Sequence, residues 1–203
     1  MQEQFLKFKD SLPAVSEREL SLYCRHFELL KEWNEKIALV SRKSIDKSFE
    51  NHYADSLFIS DFAHRYFRPG EPVSDLGTGA GFPGVIFAIR YPDAKVTLYE
   101  KLQKKRLFLE AVLADLKLPN LKLDSAMPER QFAGMVLARA VMPPPELFPF
   151  LQPRLAKGTR LILNLGSQSP DPELPAWLKK ITEHRYTLPL DAGPRRLLCL
   201  EKS

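Results

Sequence analysis

The stretch that most constrains this chain is Asp75 to Gly84, DLGTGAGFPG, which places glycines at 77, 79, 81 and 84. Glycine adopts φ > 0 without steric cost and lets a backbone come close to a ligand, so this density reads as a sharp turn around a bound group. Apolar residues on both sides, Val73 and Leu76 before and VIFAI after, make it the joint between a strand and a helix. Pro83 suits the first turn of that helix, where its missing N–H has no intrahelical partner. A turn at the carboxyl end of the first strand is where open α/β sheets bind ligands. Two spacings overlap in it. Gly79-x-Gly81-x-x-Gly84 is that of a dinucleotide-binding turn. Asp75-x-Gly77-x-Gly79-x-Gly81 is an acid followed by three alternating glycines.

The rest of the chain divides around this turn. Ser16-x-x-Glu19 is a capping box, and Leu20, Tyr23, Phe27 and Leu30 follow at helical spacing, so a helix is expected to about Trp33. KSIDKSFENHYADSLFISDFAHRYF reads as one or two further amphipathic helices. Residues 1–67 are thus expected to form a helical cap, closed by the turn cluster Arg68-Pro69-Gly70 with Pro72, and residues 68–203 an α/β domain. Strands are expected at 73–77, 95–100, 121–127, 134–140 and 159–166, with helices after the glycine turn, over 104–118 and between the fourth and fifth strands. PELPAWLKKITEH (172–184) reads as a helix, and RYTLPL and RRLLCLEK as a final antiparallel pair joined through Asp191-Ala192-Gly193-Pro194. Alternating strands and helices imply a mostly parallel sheet covered on both faces.

At 203 residues the chain has room for one α/β domain and a modest extension. No apolar run reaches the roughly 18 residues of a membrane span. The mixed charges of MQEQFLKFKDSLP do not read as a secretory signal. Cys24 and Cys199 stand alone, with no metal-ligand spacing around them, so a cytoplasmic protein with reduced cysteines and no metal site is expected. The formal charge is +5. Basic residues cluster at Arg42, Lys43 and Lys47, at Lys101, Lys104, Lys105 and Arg106, at Arg154, Lys157 and Arg160, and at Arg195 and Arg196. Several clusters fall at element ends, where side chains reach a polyanion; a mildly basic solvated surface is the plainer alternative.

Asp75 separates the two readings of the turn. The strand before a dinucleotide turn is normally apolar, because both its faces are buried. A buried carboxylate there is costly unless paired. S-adenosylmethionine, with a sulfonium and an α-ammonium, would offset that cost; the competing role for Asp75 is to cap local backbone amides. Glu100, 23 residues beyond Gly77, suits ribose hydroxyls under either reading. The terminal antiparallel pair and the shortage of chain for a second catalytic domain also favour a methyltransferase over a dehydrogenase. The acid-and-glycine pattern is similar to the S-adenosylmethionine turn of Rossmann-like methyltransferases.

WNEKI, HYADSL, residues 74–112 and ARAV-x-P together resemble the ribosomal RNA small subunit methyltransferase G family, also called GidB, from about Trp33 to the C-terminus. The resemblance implies a class I, Rossmann-like S-adenosylmethionine-dependent methyltransferase with an N-terminal helical cap. It implies methylation of guanine N7 in 16S ribosomal RNA, with that RNA or the assembling small subunit as partner. A monomer is the favoured state. Matched by position, Gly77 and Phe82 would contact the cofactor, with Gly79 and Gly81 in the same turn. Glu100 would take the ribose, Met127 and Pro128 would border the adenine, and Arg139 would stand beside the methionine end. His52, Asp55 and Ser56 match the family's H-x-x-D-S motif. The chain departs from the pattern at Ala38-Leu39-Val40, where Asn-Leu-Thr is common, and at Leu165, where a lysine is common. The usual acid of the Met127-Pro128 pair is displaced to Glu129.

The absences agree with N7 chemistry. No Asp/Asn-Pro-Pro-aromatic motif follows the fourth strand to serve an exocyclic amine. Neither cysteine stands where a pyrimidine-C5 nucleophile is needed. Guanine N7 carries an in-plane lone pair and needs no base. Catalysis then reduces to positioning. Arg139 is expected to orient nucleobase, cofactor carboxylate or phosphate, with a structural ion pair as the alternative. His52 is expected under the site or, equally, as a surface partner of Asp55. Lys104, Lys105, Arg106, Arg195 and Arg196 are the expected RNA contacts.

Overall fold

The computed structural model describes all residues except 42–44, 126–130, 167–168 and 191. Seven strands form one sheet: β1 (Pro72–Leu76), β2 (Lys95–Tyr99), β3 (Leu121–Asp124), β4 (Met135–Arg139), β5 (Arg160–Leu165), β6 (Leu178–Leu188) and β7 (Gly193–Lys202). Their order is β3-β2-β1-β4-β5-β7-β6. β1 to β5 run parallel, and β7 lies antiparallel to both β5 and β6. The order reverses between β1 and β4, and such a switch point opens a crevice at the strands' carboxyl ends. This is the expected Rossmann-like sheet with its terminal antiparallel pair.

The helices are α1 (Gln2–Lys7), α2 (Glu17–Asn34), α3 (Asp55–His64), α4 (Gly84–Arg90), α5 (Gln103–Leu116) and α6 (Pro144–Leu151). The capping box forms: Ser16 Oγ accepts from the Glu19 amide and Glu19 Oε2 accepts from the Ser16 amide at 2.8 Å. A π-helical stretch, Phe49–Ala54, runs straight into α3. Such wide turns recur at functional sites, and this one carries Asn51 and His52.

Residues 172–184 do not form the expected helix: the chain enters β6 at Leu178 and pairs with β7 as far as Leu188. Leu178, Ile181 and Lys179-Lys180 fit helical spacing, but ten paired residues on β7 outweigh local preference. Lys179, Lys180 and Ile181 lie on the exposed side of this edge strand, and a charged edge discourages further pairing.

One apolar core joins the N-terminal helices, α4 and α5 to one face of the sheet; Tyr23, Tyr53, Phe49, Phe87 and Phe108 are among its largest members. A second core on the other face gathers Leu147, Phe148 and Leu151 of α6 against Val136, Leu161 and Leu163. Arg90, at the end of α4, pins the cap to the sheet domain. It meets Glu19 Oε1 at 2.7 Å and Asp61 Oδ1 at 2.5 Å, and donates to the Ala14 carbonyl at 2.8 Å.

Candidate functional site

The alternating glycines do what their spacing requires. Gly77, Gly79 and Gly81 have φ of +60°, +62° and +89°, conformations that side chains disfavour. Glu100, at the end of β2, accepts from the Gly79 amide at 3.0 Å through Oε2 and from the Leu102 amide at 2.8 Å through Oε1. Each carboxylate oxygen has a second lone pair, so ribose hydroxyls can still donate to it. At Gly79 a side chain would meet nothing nearer than 3.9 Å, where it would find the Gly77 carbonyl and the Lys105 ammonium. That open backbone, with the acid beside it, fits a nucleoside-bearing methyl donor.

Asp75 works inward. It is fully buried, and its Oδ2 accepts from the Gly84 amide at 2.9 Å. This is the amide-capping role set against the cofactor role above. Burial pushes its carboxyl up to about 7, against the pull of the amide and of Arg139.

Phe82 faces the cap. The His52 ring stacks on it at 5.0 Å and 18°, Tyr53 and His26 meet it edge-on, and the Arg139 guanidinium lies 6.0 Å from its centroid. His26, a residue of α2 that sequence reasoning passed over, is wholly buried, with Nδ1 2.6 Å from the Tyr53 hydroxyl. Burial lowers His26 to about 4. His52 falls to about 3, through burial first and then the Arg139 charge.

Arg139 ends β4 and gathers the second half of the site. Its Nε pairs with Asp55 Oδ2 at 2.8 Å, and its Nη2 donates to the Asn51 carbonyl and lies 3.2 Å from His52 Nδ1. The other oxygen of Asp55 accepts from the Tyr186 hydroxyl at 2.5 Å, and Tyr186 accepts from Asn164 Nδ2 at 3.0 Å. After Arg139 the chain turns at Ala140, φ +51°, a strained conformation for a residue with a side chain. Val141 then folds over Gly77, its Cγ1 3.2 Å from where a Cβ on that glycine would sit.

Arg139, Asp55, His52 and Asn51 line one side of a cleft of about 1240 Å³ over the ends of β4 and β5; Asn164, Leu165, the Pro143–Pro145 run, Glu173 and Arg195 line the rest. Leu165 is buried, so the wall is apolar where the family often has a lysine. Val40, at another departure, donates its backbone amide to the Asn34 side-chain oxygen at 2.9 Å.

The expected RNA contacts separate. Lys104 is exposed on α5, and Lys105 reaches toward Gly79. Arg106 donates to the Lys101 carbonyl at 2.7 Å. Arg195 borders the cleft while its Nη1 donates to the Ala192 carbonyl at 2.9 Å and the Pro194 carbonyl at 3.0 Å; Arg196 is spent on Asp171 and the Ser169 and Pro170 carbonyls. Arg160, from another basic cluster, is buried against Glu71 and the Tyr66 carbonyl. Met127, Pro128, Glu129, Arg42 and Lys43 lie outside the described residues.

The rRNA small subunit methyltransferase G family, GidB, matches residues 18–187. The chain belongs to that family. Ribosomal RNA small subunit methyltransferase G of Parabacteroides distasonis is 33% identical over 76% of this chain and 67% of its own length. The Bacillus pumilus protein of the same name is 29% identical over 93% of this chain and 84% of its own. Among solved structures, MtNAS in complex with MTA and tNA superposes with a TM-score of 0.60 at 17% identity, over 91% of this chain and 72% of that one. TrmN from Thermus thermophilus gives 0.57 at 19% identity, over 73% of this chain and 49% of its own. These structures share the fold. The glycine turn after β1 and the Arg139 cleft at the end of β4 lie on either side of the sheet's switch point.

Proposed function

We propose that this protein methylates N7 of a guanine in 16S, small-subunit ribosomal RNA, using S-adenosylmethionine. The observation that carries the reading is the pairing, in a chain of this family, of a left-handed glycine turn with an arginine-walled cleft beside it. Gly77, Gly79 and Glu100 hold the cofactor, and Arg195 with Lys104 and Lys105 meets RNA phosphates. When bound, S-adenosylmethionine supplies an electrophilic methyl group on a sulfonium.

This chain's own residues position the acceptor. The Arg139 guanidinium offers donors and no acceptor, and Asp55, the Asn51 carbonyl and the Phe82 ring fix it in one pose. Its role is electrostatic and steric. His52, held near 3, is a neutral ring and a poor base near neutral pH. Guanine N7 needs neither base nor nucleophile. Orientation is then the main source of acceleration, through a lone pair held about 3–3.5 Å from the carbon it attacks. The proline run and Leu165 line the far side of the cleft with apolar surface for the other side of the base.

The test maps small-subunit RNA from cells with and without this protein by borohydride reduction and aniline cleavage, which cuts at N7-methylguanosine. One cleavage site that depends on the protein is expected. Transfer to deproteinised RNA in vitro, together with calorimetry of S-adenosylmethionine, separates this reading from a small-molecule or protein methyltransferase and from a non-catalytic RNA-binding protein. Unchanged cleavage patterns in the two strains overturn it.

A further inference from the structure

Three hydrogen-bonded side chains, Asp55 and Asn164 on the wall of the cleft and Tyr186 buried behind them, have only one consistent arrangement of protons. Asp55 receives Arg139 at Oδ2, and its Oδ1 lies 2.5 Å from the Tyr186 hydroxyl. A carboxylate paired with a guanidinium accepts only, so Tyr186 donates. Burial and the Asp55 charge both raise the Tyr186 hydroxyl above the ordinary phenol range, so it keeps its proton. The Tyr186 oxygen has only lone pairs left for its second neighbour, Asn164, at 3.0 Å. Asn164 must therefore turn its NH₂ toward Tyr186. The orientation of an amide is usually assigned from its network, and this network leaves one choice. The carbonyl oxygen of Asn164 faces away from Tyr186, and no group among the described residues donates to it. Asn164 lines the cleft at the end of β5, one strand from Arg139.

We infer that Asn164 selects the acceptor base, its Oδ1 accepting a hydrogen bond from N1–H or the 2-amino group of guanine, and that Tyr186 is a positioning residue that keeps the amide in that sense. The inference rests on the guanine-N7 reading above and deepens it. The Watson–Crick edge of guanine offers two donor groups, whereas adenine sets the N1 lone pair there. That edge lies across the purine from N7. With N7 toward the glycine turn, it points from β4 toward β5. Neighbouring strands are roughly 4.8 Å apart, comparable to the width of the ring system. Asn164 is thus a reader at the far edge of the base, and Arg139 a clamp nearer the reacting edge.

The experiment compares wild type, Asn164→Leu and Tyr186→Phe on deproteinised small-subunit RNA, with the target guanosine either kept or replaced by adenosine. S-adenosylmethionine affinity is measured alongside and reports an intact fold. Phenylalanine preserves the ring stacked on Phe58 at 4.7 Å while removing the hydroxyl. For Asn164→Leu, cofactor affinity is expected within about twofold of wild type, acceptor KM about tenfold higher and the guanosine-over-adenosine preference about tenfold lower, the size of one hydrogen bond near the upper end of the usual range. Tyr186→Phe should move both in the same direction by about threefold, because the freed amide samples both orientations. Unchanged acceptor KM and unchanged base preference in Asn164→Leu overturn the inference, as does a fall in kcat alone, which a purely structural role would give. If wild type itself leaves small-subunit RNA unmethylated while binding the cofactor, the substrate reading fails and this inference with it, a pattern distinct from an active wild type with an equally selective variant.

Discussion

The amide of Gly84 and the carboxylate of Asp75 meet at 2.9 Å, and a Cβ on Gly84 would lie 2.6 Å from that same carboxylate and 2.4 Å from Leu98. The first turn of α4 is therefore seated directly on β1 and β2, and this glycine is required by closeness rather than by backbone conformation. Gly84→Ala must push α4 off the sheet. A loss of about 1–3 kcal/mol in urea-denaturation stability is expected, together with weakened S-adenosylmethionine binding, since α4 and the turn move as one.

Asp75 makes stability depend on pH. Its folded carboxyl titrates near 7, against about 4 in an unfolded chain. Between those values the folded state binds the extra proton, so this group's contribution to stability falls as pH rises from about 4 to about 7 and is level above that. Asp75→Asn keeps an acceptor for Gly84 and removes the titration. Its stability relative to wild type should improve by on the order of 2 kcal/mol between pH 5 and pH 8. Denaturant melts at the two pH values check it; a difference that is constant with pH refutes it.

His52 shows the opposite sign. A histidine held near 3 when folded, against about 6.5 unfolded, costs stability as pH falls through that interval. For the reaction, His52 stays neutral at every working pH. Single-turnover rates from pH 6.5 to 8.5 should carry no inflection that disappears in His52→Gln.

The basic run on α5 should divide in salt titrations. Lys104→Glu should lower the slope of log RNA affinity against log salt by about 0.7, one phosphate contact on a single strand, with the cofactor still bound. Arg106→Glu should instead destabilise the fold, because Arg106 holds the Lys101 carbonyl at the start of the helix. Equal effects of the two variants on the salt slope would count against this division.

The parts of the fold and site that were legible in the sequence are those built from local pattern. Alternating glycines became three left-handed residues, and the Ser16–Glu19 box became a helix cap. The strand sequence from Val73 to Leu165 followed hydrophobic runs closely. What stayed hidden depends on distant partners. LKKITEH has helical spacing, and only pairing with β7 makes it a strand. His26 sits on an otherwise ordinary amphipathic helix, and nothing around it in sequence announces the glycine turn. Tyr186 gave no signal. Asn164 gave a weak one, as the lone amide in the apolar run LILNLG. For the basic clusters, composition cannot tell a side chain that neutralises an internal carbonyl, as at Arg106 and Arg196, from one free to meet a phosphate.

The hydrogen bond from Tyr186 to Asp55 spans 131 residues of chain. Its two ends are made at very different times during synthesis. The glycine turn and β1 to β4 can emerge and begin to pair while the hairpin that carries Tyr186 is still untranslated. Arg139 then has its carboxylate, but that carboxylate lacks its second donor, and Asn164 has no fixed orientation. The glycine turn is thus complete in the chain well before the hairpin that fixes the Asp55–Tyr186–Asn164 network. The orientation of the Asn164 amide is therefore the last part of the cleft wall to be set, and it waits on the C-terminal hairpin.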